Sequence, residues 1–145
     1  MRIVIQRVTQ ASVRVANELH SHIGPGLLVL MAVAADDTEA DVDYMVNKLV
    51  NLRLFADSAG KMNLSVLDVV GEVMLVSQFT LYADCRRGRR PSFTAAAAPQ
   101  LANELYELAA AAIRDKGVSV ATGIFGEHMQ ISLVNDGPVT VLLDT

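Results

Sequence analysis

The spacing of apolar residues along the chain predicts a series of strands interrupted by two helices. Apolar and polar residues alternate over 2–8 and 11–16, which is typical of strands with one buried face, and Thr9 and Gln10 mark a bend or bulge between them. Residues 27–33 form a continuous apolar run, as expected of a central strand buried on both faces. The same reasoning predicts further strands at 19–23, 52–55, 72–82, 118–122, 128–134 and 139–143.

Two segments carry apolar residues at helical spacing and have suitable residues at their ends. Thr38 is a good N-cap, and Asp41 three residues later completes a pattern like a capping box. The apolar face that follows consists of Val42, Met45, Val46, Leu49 and Val50. The second helix is predicted to begin at Pro99 and to continue to Lys116, with Gly117 as the residue that ends it.

The order of these elements predicts an α+β fold with two main helices and a curved, mostly antiparallel, barrel-like β-sheet. Residues 57–71 are rich in turn formers and are predicted to be a connection. No βαβ repeat is visible, which favours antiparallel pairing. At 145 residues the chain is expected to form one domain, residues 1–145. Since 52% of its residues are hydrophobic, we expect a homodimer that buries some apolar surface.

Composition narrows the classes of function. No apolar run approaches the roughly 18 to 20 residues that a membrane span needs, and the N-terminal residues lack the pattern of a signal peptide. A single cysteine, Cys85, excludes an internal disulfide framework and fits a reducing compartment, so the predicted location is cytoplasmic. The single cysteine and three scattered histidines also argue against a metal site. The sequence therefore predicts no metal and no other cofactor.

Charge is unevenly distributed along a chain whose net charge is −4. This net charge argues against indiscriminate binding of nucleic acid. Arg86, Arg87, Arg89 and Arg90 nevertheless fall within five residues, and such a local cluster can hold phosphate groups. A solvated loop is the alternative interpretation, and both stay open at this point.

A short polar interruption lies within the apolar segment 72–82. Ser77, Gln78 and Thr80 occur in a stretch otherwise rich in Val, Leu, Phe and Tyr. Burying a hydroxyl or an amide without a partner costs on the order of 1–3 kcal/mol, so these side chains need a reason to be there. One interpretation is a strand end where the backbone or water satisfies them. The other is a pocket that presents backbone N–H and hydroxyl groups to a ligand.

A second polar motif, Asn-Asp-Gly-Pro at 135–138, separates the last two predicted strands. Asp-Gly and Gly-Pro are strong turn signals, so a tight turn is one interpretation. A Gly-Pro bond can also adopt cis, which would point two successive carbonyls in nearly the same direction as a rigid backbone acceptor. The chain contains no Gly-x-Ser-x-Gly elbow, no His-Glu-x-x-His and no phosphate-binding glycine loop. A conventional serine hydrolase or metalloenzyme is therefore disfavoured.

These motifs resemble those of a known family. Ser-Gln-Phe-Thr at 77–80 and Asn-Asp-Gly-Pro-Val-Thr at 135–140 are similar to the two signature motifs of D-aminoacyl-tRNA deacylases. The similarity covers essentially the whole chain, with further matching segments in the same order at 5–8, 11–13, 26–30, 61–65, 88–93 and 122–126. Two correctly spaced motifs in a chain of matching length are a specific signal.

The resemblance implies a homodimer that hydrolyses the ester between a D-amino acid and the 3′-terminal adenosine of tRNA, an activity that proofreads chirality. In such a dimer the Gly-Pro bond is cis, and the motif of one subunit enters the pocket of the other. The carbonyls of Gly137 and Pro138 would bind the substrate amino group and exclude an L side chain, and Arg7 would support the motif. Because glycine has no side chain to exclude, glycyl-tRNA is expected to be cleaved to some extent.

The resemblance also implies where the reaction takes place. The residues expected to form the catalytic segment are Ser77, Gln78, Phe79 and Thr80. The backbone of Phe79 and Thr80 would face the scissile carbonyl, and Phe125 and Met129 would help hold the adenine. An aminoacyl ester is already activated, so backbone donors that stabilise the oxyanion can suffice, and Thr80 is expected not to be an obligatory nucleophile.

Three other functions are compatible with the sequence. A pure RNA-binding module would hold the tRNA 3′ end without turnover. A structural dimer would use the polar segment only as a satisfied strand end. A sister activity within the same fold would remove a mischarged L-amino acid instead.

Overall fold

The computed structural model describes residues 1–145 and contains eight strands, two α-helices and one 3-10 helix. The helices are α1 (Glu39–Asn51) and α2 (Pro99–Asp115), and the 3-10 helix is Phe79–Tyr82. The strands are β1 (Arg2–Val15), β2 (Glu18–Ile23), β3 (Gly26–Ala32), β4 (Phe55–Ala56), β5 (Met62–Leu64), β6 (Glu72–Ser77), β7 (Ser119–Thr122) and β8 (Met129–Asp144).

Six strands form one curved sheet around the long strand β1. The order along the sheet is β2-β1-β3-β6-β7, and β8 also pairs with β1 along nearly its whole length. The first half of β1 pairs with β3 and the second half pairs with β2. The hydroxyl of Ser21 on β2 donates to the carbonyl of Thr122 on β7 at 2.8 Å, so the two ends of the sheet meet. The expected barrel-like α+β fold with two main helices is confirmed.

The sheet is mixed, because two of its strand pairs are parallel. β1 is antiparallel to β2, β3 and β8, whereas β3 pairs with β6 and β6 pairs with β7 in parallel. The connection from β3 to β6 contains α1, and the connection from β6 to β7 contains α2. The expectation that βαβ units are absent was therefore wrong. Each unit contains one long connection, residues 52–71 after α1 and residues 78–98 before α2, and these hid the repeat in the sequence.

The two helices cover one face of the sheet. The buried residues of α1 are the five apolar residues predicted at helical spacing, and those of α2 are Leu105, Tyr106, Ala109, Ala110 and Ile113. They pack with Leu27, Val29 and Leu75 in the larger core cluster. A smaller apolar cluster, which includes Leu28 and Val76, fills the other face. β3 is thus buried on both faces, as predicted. No helix is long and apolar enough to cross a membrane.

The capping box predicted for α1 is present. The backbone N–H and the hydroxyl of Thr38 both donate to Oδ2 of Asp41 at 2.8 Å. These hydrogen bonds lower the pKa of Asp41, since they favour its charged form. α2 begins at Pro99 and ends at Asp115, close to the predicted limits.

Two strand predictions were too long, and one connection contains a strand. The strand predicted at 72–82 ends at Ser77, where its pairing with β3 ends. The Gln78 N–H still donates to the Met31 carbonyl at 2.7 Å, and the chain then leaves the sheet as a 3-10 helix. The strand predicted at 52–55 is reduced to β4, since the Leu52 N–H still caps α1 through the Lys48 carbonyl. The connection predicted at 57–71 contains β5, which pairs with β4.

The last two predicted strands are one strand, β8. Both halves run antiparallel to β1, so residues 135–138 do not form a hairpin turn. Gln6 pairs with Thr140 and Val8 pairs with Asn135, so one residue of β1 lies opposite four residues of β8. Residues 136–139 therefore loop out of the ladder as a large bulge. The continuity of β8 depends on its pairing with β1, which local turn signals do not report.

The parallel pairing of β3 with β6 requires a glycine at position 26. An added Cβ at Gly26 would lie 1.9 Å from the backbone oxygen of Glu72, its register partner. We predict that Gly26→Ala lowers the free energy of unfolding by about 3 kcal/mol, because the two strands must move apart.

The matched control is Gly24→Ala. There the nearest neighbour of an added Cβ is the flexible carboxylate end of Glu72 at 3.3 Å, so the cost should stay below about 1 kcal/mol. Urea unfolding of both variants gives the comparison. Equal stability of the two variants would contradict the close approach of β3 and β6.

Candidate active site

A cavity opens where the carboxyl ends of β3, β6 and β7 meet. These strands run parallel, so their carboxyl ends lie at one edge of the sheet, the usual place for a ligand site in such sheets. The cavity has a volume of about 570 Å³ and a mostly apolar lining. Its walls come from the ends of β3 and β6, the start of α2, Phe93 and residues 125–131.

Five of the predicted site residues line this cavity. They are Ser77, Gln78, Phe79, Phe125 and Met129. Thr80 is exposed beside the cavity and does not line it. Ser77 is the last residue of β6, so the polar interruption is both a strand end and one edge of a cavity. The two interpretations offered by the sequence therefore coincide.

The 3-10 helix begins at the edge of the cavity, and Phe79 is the residue of this helix that lines it. Phe79 and Thr80 are the first two residues of this helix, and N–H groups at such positions have no carbonyl partner within the helix. The Gln78 side-chain amide donates to the Thr80 hydroxyl at 2.5 Å. The Phe79 ring, 57% exposed, packs edge-on against the Phe93 ring with centroids 5.0 Å apart. This contact fixes one side of the opening.

Tyr106 forms part of the cavity wall and was not identified from the sequence. Its hydroxyl donates to the Leu75 carbonyl at 2.8 Å, and the Gly123 N–H donates to the same carbonyl at 3.0 Å. Burial raises the pKa of Tyr106 to about 12, so the group is a neutral donor at ordinary pH. Its ring lies 6.1 Å from that of Phe125. The only signal was a tyrosine on the apolar face of a helix, where a buried hydroxyl needs a partner.

The Gly-Pro motif lies in the bulge of β8. The Gly137–Pro138 peptide bond is cis, and both residues are exposed. The Asn135 side chain closes the bulge, since its Oδ1 accepts from the Val139 N–H at 2.9 Å and its Nδ2 donates to the Val139 carbonyl at 3.2 Å. The motif is therefore a closed backbone loop on the surface.

Arg7 lies against this loop, at the position on β1 opposite the bulge. Its Nε donates to the Asp136 carbonyl at 3.0 Å and lies 3.2 Å from the Asp136 carboxylate. A second guanidinium nitrogen donates to the Leu54 carbonyl. These bonds join the loop to the segment that follows α1. Only 13% of the Arg7 side chain is exposed, so it is held between the two segments.

The structure does not bring the motif and the cavity together within one chain. No residue of 135–138 lines the cavity. Met129 pairs with Val15 and Asn135 pairs with Val8. Val8 and Val15 are seven positions apart along β1, which corresponds to about 23 Å of extended strand. The predicted site is therefore split into a pocket and a separate surface loop.

Charged groups are few around the cavity. Glu127 and His128 lie exposed at its mouth, and the rest of the lining carries no ionisable group except Tyr106. No three His, Cys, Asp or Glu side chains lie close enough together to hold a metal ion. The polar groups available inside are the backbone, the Ser77 hydroxyl and the Gln78 amide.

Residues 4–144 match the model of the D-Tyr-tRNA(Tyr) deacylase family. A D-aminoacyl-tRNA deacylase of Desulfitobacterium hafniense (strain DSM 10664 / DCB-2) is 59% identical over 145 residues, covering 100% of this chain and 97% of that protein. A D-aminoacyl-tRNA deacylase of Clostridioides difficile (strain 630) is 55% identical with the same coverage. The chain belongs to the D-Tyr-tRNA(Tyr) deacylase family. The resemblance inferred from its motifs is confirmed, and the chain is an enzyme of the hydrolase class.

Solved structures agree with the fold of this deacylase family. A c-Myc DNA unwinding element binding protein superposes with a TM-score of 0.94 at 39% identity, covering 100% of this chain and 99% of that one. A probable eukaryotic D-amino acid tRNA deacylase superposes with a TM-score of 0.88 at 19% identity, covering 99% and 98%. The second likeness bears on the fold alone.

Proposed function

We propose that the protein hydrolyses the ester bond of D-aminoacyl-tRNA and releases free tRNA and the D-amino acid. The observation that carries this proposal is an apolar, aromatic cavity bordered by Ser77, Gln78 and Phe79, in a chain of the D-Tyr-tRNA(Tyr) deacylase family. The cavity offers a surface for a nucleobase and a polar edge for a carbonyl group. Its work would be chiral proofreading of charged tRNA in the cytoplasm.

The terminal adenosine occupies the apolar part of the cavity. Phe125 and Met129 hold the adenine, with Tyr106 behind the Phe125 ring. Stacking of a base on an aromatic side chain contributes about 1–3 kcal/mol and does not require charged groups. The hydroxyl groups of the ribose then lie toward the polar edge.

The chemistry takes place at Ser77, Gln78, Phe79 and Thr80. The N–H groups of Phe79 and Thr80 donate to the scissile carbonyl, and their bonds strengthen as that oxygen becomes an oxyanion. Water attacks the carbonyl carbon, the bond to the 3′ oxygen breaks, and the departing 3′ oxygen takes up the proton that the attacking water loses. The 2′-hydroxyl of the substrate positions the water. No side-chain nucleophile takes part, since the Thr80 hydroxyl has no His, Asp or Glu partner.

Chiral selection comes from a second copy of the chain. In this homodimer the loop at Gly137 and Pro138 enters the pocket of the partner subunit, where its two carbonyls accept hydrogen bonds from the substrate amino group. Arg7 holds the loop in place. An L side chain would collide with these carbonyls, whereas a D side chain points away. The exposed position of the motif, outside its own pocket, supports this arrangement.

The dimer also accounts for the exposed edge of β8. This strand pairs only with β1, so its other edge has no neighbour in the sheet. Val134 is 48% exposed and Leu142 is 56% exposed on it. Edge strands with apolar side chains are usually covered, which supports a second copy here.

Binding of a nucleic acid without turnover is the second candidate function. One relative, 39% identical, is named as a protein that binds a DNA unwinding element. A binding module would occupy the cavity and leave the ester intact. Turnover of a charged tRNA therefore separates the two functions.

The rate of hydrolysis should depend on the chirality of the substrate. Purified protein in the presence of a chelator should hydrolyse D-tyrosyl-tRNA at least about a hundredfold faster than L-tyrosyl-tRNA, because only the L side chain meets the carbonyls. Glycyl-tRNA should be cleaved measurably. Release of the labelled amino acid gives all three rates. Binding of tRNA with no cleavage would support the binding module, and faster cleavage of the L ester would support the sister activity.

Turnover should not require the hydroxyl group of Thr80. Thr80→Ala should keep turnover of D-tyrosyl-tRNA within about tenfold of the unaltered protein, since loss of a true nucleophile costs several orders of magnitude. Thr80→Val, which keeps the shape of the side chain, serves as the control for packing. Both variants are assayed after their folding is checked by circular dichroism. Loss of more than a thousandfold in both, with activity kept in Thr80→Ser, would establish Thr80 as the nucleophile.

A further inference from the structure

The loop that follows the 3-10 helix is a positively charged projection. The Asp84 N–H donates to the Ser92 carbonyl at 2.7 Å, and the Ser92 N–H donates to the Asp84 carbonyl at 3.0 Å. This pair of bonds closes the loop at its base. Residues 85–91, the arginine loop, are all exposed.

One of its four arginines is used within the loop. The Nε of Arg86 donates to Oδ1 of Asp84 at 2.9 Å, and its Nη2 donates to Oδ2 at 2.8 Å. This pair raises the pKa of Arg86 and lowers that of Asp84. Arg86 therefore holds the base of the loop, and its charge faces the Asp84 carboxylate.

The other three arginines have no acidic partner. Arg87, Arg89 and Arg90 take part in none of the ion pairs of the structure. Three carboxylates act on the neighbouring Tyr82. Asp37 and Asp144 are already paired with the N-terminal ammonium and Arg2, and the exposed Asp36 forms no ion pair with any arginine. Three arginines without an ion-pair partner thus lie together on a chain of net charge −4.

The arginine loop is attached to the mouth of the cavity. Phe93 follows the loop closely, lines the cavity and packs against Phe79. Arg90 is three residues before Phe93, a distance of at most about 10 Å along the backbone. A long, flexible arginine side chain extends that reach. A nucleic acid whose 3′ end occupies the cavity brings its preceding phosphates near these charges.

We propose that Arg87, Arg89 and Arg90 bind backbone phosphates of the RNA strand next to the 3′-terminal nucleotide. This inference rests on the function proposed above. It means that the arginine loop contributes to the affinity for tRNA. A guanidinium group donates two parallel hydrogen bonds to a phosphate and carries no base preference. The contribution of these arginines to tRNA affinity is therefore independent of the RNA sequence and falls as the salt concentration rises.

The test compares two substrates with the same reactive ester. One is D-tyrosyl-tRNA, and the other is the D-tyrosyl ester of adenosine, which has no phosphates. In the triple variant Arg87→Gln, Arg89→Gln, Arg90→Gln, the ratio of kcat/KM for the tRNA to that for the nucleoside ester should fall at least tenfold. The slope of log(kcat/KM) for tRNA against log salt should flatten by about 2 to 3, roughly one for each phosphate that the variant no longer binds.

A control with the same change in net charge is available elsewhere in the chain. Arg14, Arg53 and Arg114 are exposed and lie outside the cavity lining. All three are replaced by glutamine. If the local placement of charge matters more than the total charge, the ratio of kcat/KM values should change by less than about twofold. The salt slope should then change by less than about half a unit. A similar effect in both triple variants would overturn the proposal.

Two further outcomes are decisive. An equal loss on both substrates in the arginine-loop variant would show that the loop shapes the cavity through Phe93, which overturns phosphate binding. If the unaltered protein cleaves neither substrate, the proposed function fails, and binding of uncharged tRNA becomes the readout. In that case an unchanged salt slope in the arginine-loop variant overturns the proposal, and a flattened slope supports it.

Discussion

The close parallel pairing of β3 with β6 is the constraint on which the candidate site depends. Gly26 has no side chain, so its backbone can approach that of Glu72, and this contact sets the register of the two strands. The register brings Met31 level with Ser77 at their carboxyl ends. The Met31 carbonyl accepts the last hydrogen bond of this pair from the Gln78 N–H, and beyond it the chain leaves the sheet as the 3-10 helix. The position of the cavity edge therefore depends on the contact between Gly26 and Glu72, at the other end of β3 and β6.

Features that depend only on residues close together in the sequence could be predicted from it. The capping box of Thr38 and Asp41 and the start of α2 at Pro99 are local, and both are where the sequence placed them. The end of β6 at Ser77 depends on a carbonyl of another strand, and the unbroken course of β8 depends on β1. These long-range partners leave no periodic signal, which is why strand limits and parallel pairing were missed. The hydroxyl partner of Tyr106, on β6, was missed for the same reason.

The candidate site itself was predicted as a set of residues, and the fold sorts that set into two places. Ser77, Gln78 and Phe79 line a cavity with Phe125 and Met129, whereas Gly137 and Pro138 lie on an exposed loop that Arg7 holds. One chain thus places an apolar, aromatic pocket in one region and an exposed backbone loop in another. We propose that a second copy of the chain unites them and that the enzyme selects chirality at this shared site.

The most direct test of that claim is complementation between two inactive subunits. Phe125→Ala removes an aromatic ring from the pocket lining. Gly137→Ala distorts the loop, since an added Cβ would lie 2.5 Å from the Val139 nitrogen. Each variant alone should be inactive on D-tyrosyl-tRNA. A purified heterodimer of the two should regain about half the activity of the unaltered dimer, because one of its two sites combines an intact pocket with an intact loop. An inactive heterodimer, or a fully active monomer, would contradict the account.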